Sequence, residues 1–181
     1  MGRIPARIIA VVLCAGVFVG IAGSVQAAPL TDRARAERAV AYLASKQKAN
    51  GAIVAFSPIG STADAVSSFA AAGVGRTRMN RALGFLRGRV QAGRVDSIGL
   101  QAKVVLAVSA AGANPRDFGG VNLVRSLRDT LAGGHFGDSA VFDDATAVLA
   151  LESAGVALGT NVATWLLKAQ CPDGGWAYDL P

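Results

Sequence analysis

Apolar residues recur three and four positions apart in four segments of the chain, and this spacing predicts amphipathic helices. The four segments span roughly 32–48, 78–92, 121–133 and 160–171. Three other segments, at 61–73, 97–112 and 140–155, alternate with them and are richer in alanine and other small or apolar residues. We find no convincing strand pattern. The sequence therefore predicts an all-α fold of seven helices that alternate between two types.

The ends of the helices carry their own signals. Each of the three small-residue segments ends in Ala-Gly, at Gly73, Gly112 and Gly155, and glycine just past a helix accepts the left-handed conformation that stops it. Ser61 stands three residues before Asp64, in the spacing of a capping box, and Thr160 precedes another apolar stripe. We therefore expect Ser61, Asp96 or Ser97, and Thr160 to cap helices.

A seven-residue pattern at 170–176 occurs a second time, in diluted form, at 47–53. Both copies start with Gln, follow a Leu by four residues, and place an Asp/Asn-Gly pair before a large apolar residue. The four amphipathic segments end, at spacings of 43, 41 and 39 residues, at Gln47, Val90, Leu131 and Gln170. A repeated two-helix unit leaves an apolar face that the next unit covers. The sequence thus predicts a helical repeat array.

The first 27 residues predict a signal peptide. Arg3 and Arg7 precede an apolar stretch at 8–23, and Val25-Gln26-Ala27 is a small-x-small cleavage signal. We expect cleavage after Ala27, a secreted or cell-surface location and one domain over 28–181; an uncleaved anchor is the alternative. The remaining 16 basic and 12 acidic residues give a net charge of +4, which does not indicate nucleic acid.

The C-terminal pattern resembles a known motif. Leu166, Gln170, Asp173, Gly174, Gly175 and Trp176 look like the QW-type motif of the squalene-cyclase and protein-prenyltransferase repeat superfamily. With 61–65 and 114–120, the whole mature chain resembles exported actinobacterial proteins that carry prenyltransferase/squalene-oxidase-type repeats. This resemblance implies an α/α toroid, with Gln-bearing helices outside and alanine-rich helices lining a cavity. Three and a half helix pairs imply an open or incomplete ring, and we expect the domain to be truncated at its C-terminus.

The motif residues are expected to be scaffold. A Gln near a helix end can satisfy backbone groups of the following turn, glycines permit a sharp reversal, and Trp can cover the helix end. This interpretation covers Gln47, Gly51, Gln170, Asp173, Gly174, Gly175 and Trp176. Cys171 becomes a lone cysteine once Cys14 leaves with the signal, so we expect either a disulfide partner outside the chain or a buried unpaired thiol.

The chemistry of the superfamily's enzymes is not recognisable in these residues. The resemblance implies Asp-x-Asp-Asp or Asp-Asp-x-x-Asp for cyclases, but Asp143-Asp144 fits neither pattern. It implies an Asp-x-Cys pair and a His for zinc-dependent prenyltransferases, but residue 169 is Ala. His135 lies in a glycine-rich segment and is predicted to be a solvated turn residue. We therefore predict no catalytic residue, metal or cofactor, and the balance leans away from an enzyme.

We expect the mature chain to be a non-catalytic repeat protein that binds an apolar or bulky ligand. The candidate ligand-binding residues, on the small-residue helices, are Asp64, Phe69, Asp143 and Asp144. One alternative is a terpenoid cyclase or prenyltransferase-type enzyme whose catalytic motif lies outside this chain. Another is a structural or adhesive surface module that contacts an anionic cell-wall polymer or membrane surface. It would use Arg76, Arg78, Arg81, Arg87, Arg89 and Arg94.

Overall fold

The structure is a computed structural model that describes residues 31–137 and 140–178. The predicted signal peptide at 1–27 lies outside these residues. Seven helices occupy most of the described chain and confirm the all-α prediction. They are α1 (Asp32–Lys46), α2 (Pro58–Ala72), α3 (Arg76–Gln91), α4 (Ile98–Ala110), α5 (Leu123–Arg128), α6 (Val141–Ser153) and α7 (Thr160–Lys168).

Three of the helices, α2, α4 and α6, pack side by side, with α4 in the middle. The other four pack against this row: α1 and α3 contact α2, α5 contacts α4 and α6, and α7 contacts α6. Because α4 has neighbours on both sides, Ala102, Val104, Val105, Ala107 and Val108 are all completely buried. The small and β-branched residues of the predicted second helix type thus form the centre of the core.

The predicted helix stops and the predicted cap at Ser97, which accepts the Leu100 amide at 3.3 Å, are confirmed, but two other predicted starts are wrong. Gly73, Gly112 and Gly155 follow α2, α4 and α6 with φ angles of 65°, 73° and 72°. The cap of α2 is Ser57, four residues before Ser61, because the Ser57 side chain accepts a hydrogen bond from the Gly60 amide at 3.2 Å and Pro58 fits the first helical position. Thr160 lies inside α7, after a Gly159 cap that makes no side-chain hydrogen bond.

The predicted helix at 121–133 is shorter than expected, and the prediction of no strand is wrong. Helix α5 ends at Arg128, and Leu131–Ala132 (β1) then pairs antiparallel with His135–Phe136 (β2). The two-residue turn between them is Gly133-Gly134, with φ angles of 64° and 99°. Two glycines at positive φ favour a tight hairpin, and this local turn chemistry outweighs the helical spacing of the apolar residues.

The chain folds back in the same way after α1, α5 and α7. The antiparallel pairs are Gln47 with Ile53, Leu131 with Phe136, and Gln170 with Trp176. In the first two cases the backbone amide of the apolar residue donates to a buried side chain of the next helix. Ile53 donates to Thr62 Oγ1 at 2.9 Å, and Phe136 donates to Asp144 Oδ1 at 2.6 Å. The turns after α1 and α5 are thereby attached to the helices that follow them.

Candidate functional site

The turn after α7 is held by the side chains of its own motif. Gln170 Nε2 donates to the Gly174 carbonyl oxygen at 2.7 Å, and the Gly175 amide donates to Asp173 Oδ1 at 3.0 Å. The indole nitrogen of Trp176 donates to the Leu166 carbonyl oxygen at 2.8 Å, near the end of α7. These contacts fix the direction in which the Trp176 ring leaves the turn.

Beside this turn lies an apolar cleft of about 430 Å³, between α6, α7 and residues 176–178. Its aromatic residues are substantially exposed: Phe142 by 52%, Trp176 by 51% and Tyr178 by 68%. The rings of Phe142 and Tyr178 stack at a centroid distance of 6.4 Å and an interplanar angle of 21°. The aliphatic part of the lining comes from Val141, Ala145, Leu166 and Ala177. The cleft therefore presents several ring faces to solvent at one place.

The described lining of this cleft is apolar and partly aromatic. None of its seven residues carries a carboxylate, an imidazole, an amine or a guanidinium, and the Tyr178 phenol is its one hydroxyl. Lys103 lies beside the lining, with its Nζ 5.9 Å from the centroid of Phe142. General acid–base chemistry needs a titratable group within hydrogen-bond reach of a substrate. An apolar, partly aromatic concavity instead favours the burial of apolar ligand surface.

The four candidate ligand-binding residues from the sequence do not come together in this cleft. Asp64 is exposed on α2 and forms a 2.9 Å ion pair with Lys103 of α4. Phe69 is buried in the core. Asp143 lies against Gly99 of α4, and a Cβ at Gly99 would overlap its carboxylate. Asp144 is buried and accepts the Phe136 amide, so its contact with β2 is structural.

Sequence reasoning missed the contributions of Tyr178 and Phe142 to the cleft. Tyr178 follows Trp176 by two residues, and Phe142 is the second residue of α6. The sequence offered one signal: two aromatic residues, Trp176 and Tyr178, stand two positions apart directly after a turn. It did not indicate a cleft, because only the fold brings residues 176–178 next to α6.

The N-terminal copy of the motif makes an additional long-range contact. Gln47 Nε2 donates to the Gly51 carbonyl oxygen at 3.1 Å, like Gln170 in its own turn, and also to the Arg78 carbonyl oxygen at 2.9 Å. Gly51 lies directly against the Arg81 carbonyl group. Gly174, by contrast, has open space around it: a Cβ there would reach no atom closer than Gln170 Nε2 at 4.0 Å. The first turn therefore packs on a neighbouring helix, whereas the Gly174 backbone is exposed.

His135 and Cys171 were the two residues with possible metal or redox chemistry. The prediction that His135 is a solvated turn residue is wrong: it lies in β2, half-buried, and stacks on Trp165 of α7 at a centroid distance of 5.3 Å. Cys171 is half-buried and forms no disulfide with another described residue. Across 31–137 and 140–178, no group of three or more His, Cys, Asp or Glu side chains is arranged to hold a metal ion.

Comparisons with known proteins add no relative. No family model, no curated protein and no solved structure matches this chain. None of the described helices has the length and hydropathy to cross a bilayer.

Proposed function

We propose that this chain is an exported, non-catalytic helical repeat protein of the α/α-toroid type, an open array that holds an apolar ligand in the Trp176–Tyr178 cleft. The resemblance to the squalene-cyclase and prenyltransferase repeat superfamily motivates the toroid and export parts of the proposal. The alternation of the helices and the similar turns after α1, α5 and α7 support a repeated unit.

One observation carries the proposal of ligand binding: three large aromatic side chains remain substantially exposed around one concavity whose described lining residues carry no charge. Burial of apolar surface contributes roughly 25 cal/mol per Å², so a ligand that covers these rings gains a substantial part of its affinity from them alone. The cleft volume of about 430 Å³ lies within the range of roughly 300–1,000 Å³ that small-molecule sites occupy.

The test uses N-phenyl-1-naphthylamine, an uncharged apolar dye whose fluorescence rises when it leaves water. We expect saturable one-to-one binding to the purified protein. Phe142→Ser should raise the dissociation constant about tenfold, because partial burial of one Phe side chain contributes about 1.4 kcal/mol. Energy transfer from tryptophan to the bound dye, compared between the wild type and a Trp176→Phe variant that keeps Trp165, reports whether the dye lies near Trp176.

Leu149→Ser is the matched control. Leu149 is also an exposed apolar residue of α6, but it does not line the cleft. We expect its dissociation constant to stay within about twofold of the wild type, as for an ordinary surface substitution. Equal losses in both variants, or no saturable binding by the folded wild-type protein, would overturn the proposal.

A further inference from the structure

The cationic side chains of this protein are concentrated in its N-terminal half. Residues 31–97 contain eleven basic and four acidic residues, a net charge of +7, whereas residues 98–178 contain five basic and seven acidic residues, a net charge of −2. Six of the eleven lie in α3 and the turn after it, at Arg76, Arg78, Arg81, Arg87, Arg89 and Arg94. Such segregation creates a positive potential over one part of the surface.

These arginines are not neutralised by carboxylates within the described part of the chain. The ion pairs there involve other basic residues, and Lys48 forms none either. The guanidinium carbon of Arg89 lies 4.8 Å from the centroid of the Phe85 ring in the same helix. An arginine held over a ring keeps its N–H donors in the plane of the guanidinium, where an external anion can accept from them.

Three of the unpaired cations surround one cleft of about 540 Å³, which lies between the segment after α1, the first turn of α2 and the end of α3. Lys48, Arg89 and Arg94 contribute to its lining, and its buried apolar residues are Ala52, Ile59 and Phe85. A basic group beside an apolar surface suits a ligand that carries both an anion and an apolar part.

Next to this cleft, the segment 54–56 exposes apolar side chains, and we name it the apolar tip. Phe56 is entirely exposed, and Val54, which also lines the cleft, is 48% exposed. A single exposed apolar residue is ordinary. Here, however, two of them adjoin three unpaired cations. Apolar side chains next to Lys and Arg are typical of segments that lie in the interface of an anionic bilayer.

We propose that the apolar tip inserts into the interface of an anionic lipid bilayer while Lys48, Arg89 and Arg94 bind the phosphates of lipid headgroups. The charge of the N-terminal half attracts the protein to the negative surface, and this attraction falls with ionic strength. Insertion of Phe56 then buries apolar surface, which contributes binding free energy that a purely electrostatic contact lacks. This site lies apart from the Trp176–Tyr178 cleft and does not depend on the ligand proposed there.

The first experiment measures sedimentation of the protein with vesicles at physiological salt. We expect binding to vesicles of phosphatidylglycerol mixed with phosphatidylcholine, and none to phosphatidylcholine alone. Phe56→Ser should lower the partition coefficient about tenfold, through the loss of one inserted aromatic side chain. The control Tyr42→Ser changes an exposed aromatic of α1 that does not line the cleft, and it should stay within about twofold.

The second experiment tests whether binding depends on these three cations or only on the net charge of the protein. The triple variant Lys48→Gln, Arg89→Gln, Arg94→Gln should lose about 100-fold in partitioning, since each basic residue at an anionic surface contributes about 1 kcal/mol. The control Arg76→Gln, Arg78→Gln, Arg81→Gln removes the same charge from the other end of α3. The partition coefficient of this control should fall less than about fivefold, because salt screens charges that lie away from the membrane surface.

The proposal would be overturned by equal losses in the two triple variants, by no effect of Phe56→Ser, or by no binding to the anionic vesicles. A further test adds excess inorganic phosphate to the vesicle-bound protein at constant ionic strength. Full release of the protein by phosphate would assign a site for the free anion and reject bilayer insertion. Because all substituted side chains are exposed or line the open cleft, circular dichroism should confirm that each variant remains folded.

Discussion

Gln47 Nε2 donates a 2.9 Å hydrogen bond to the backbone carbonyl oxygen of Arg78, so the end of α1 is joined to the first turn of α3 across 31 residues of sequence. The same nitrogen also donates to Gly51 within its own turn. Gln170, the corresponding residue after α7, has the local bond to Gly174. Gln47 therefore connects two helices as well as its own turn, whereas the Gln170 bond lies within its own turn.

We predict that Gln47→Ala lowers the free energy of unfolding by about 1–2 kcal/mol, because two hydrogen bonds are lost and the Arg78 carbonyl loses this partner. Gln170→Ala should cost less than about 0.5 kcal/mol, since its one bond is local and exposed. Urea denaturation followed by far-ultraviolet circular dichroism measures both values. Equal costs would show that the contact between α1 and α3 contributes nothing.

Gly51 and Gly174 give a second matched pair. Both have a strongly positive φ, 93° and 87°, which costs any L-residue about 1–3 kcal/mol. Only Gly51 would also drive its new Cβ into the Arg81 carbonyl group. We therefore expect Gly51→Ala to lower the free energy of unfolding by about 1–3 kcal/mol more than Gly174→Ala, through overpacking. A Gly174→Ala variant as unstable as Gly51→Ala would contradict this account of the packing.

Thr62 tests whether the turn after α1 depends on its hydrogen bond to α2. The hydroxyl of this buried residue accepts the Ile53 amide at 2.9 Å and donates to the Pro58 carbonyl oxygen at 2.6 Å. Thr62→Val keeps the shape but leaves the Ile53 amide without this acceptor, which should cost about 1–3 kcal/mol. Thr62→Ser keeps the hydroxyl and loses one methyl group, for about 1 kcal/mol.

The measurement for this pair is urea denaturation together with amide hydrogen exchange at Ile53. Exchange should accelerate strongly in Thr62→Val and little in Thr62→Ser. The reverse order of stability would mean that packing of the methyl group, and not the hydrogen bond, holds the turn.

Much of the fold could be predicted from the sequence. The number of helices, their order, and the glycine stops after α2, α4 and α6 follow from apolar spacing and from local backbone preferences, which act over a few residues. The same kind of reasoning misplaced the start of α2, because Ser57-Pro58 forms a better start than Ser61. It also missed the hairpin at Gly133-Gly134, where the turn overrides the helical pattern.

The candidate sites depend on contacts that no local pattern encodes. The sequence by itself determined the two types of helix, the motif at 170–176 and the run of arginines in α3. Only the tertiary structure decided that Tyr178 stacks on Phe142, and that Lys48 shares a cleft with Arg89. Residues far apart in sequence meet through helix packing, which the summed burial of the whole core selects and which the spacing of any one segment leaves undefined.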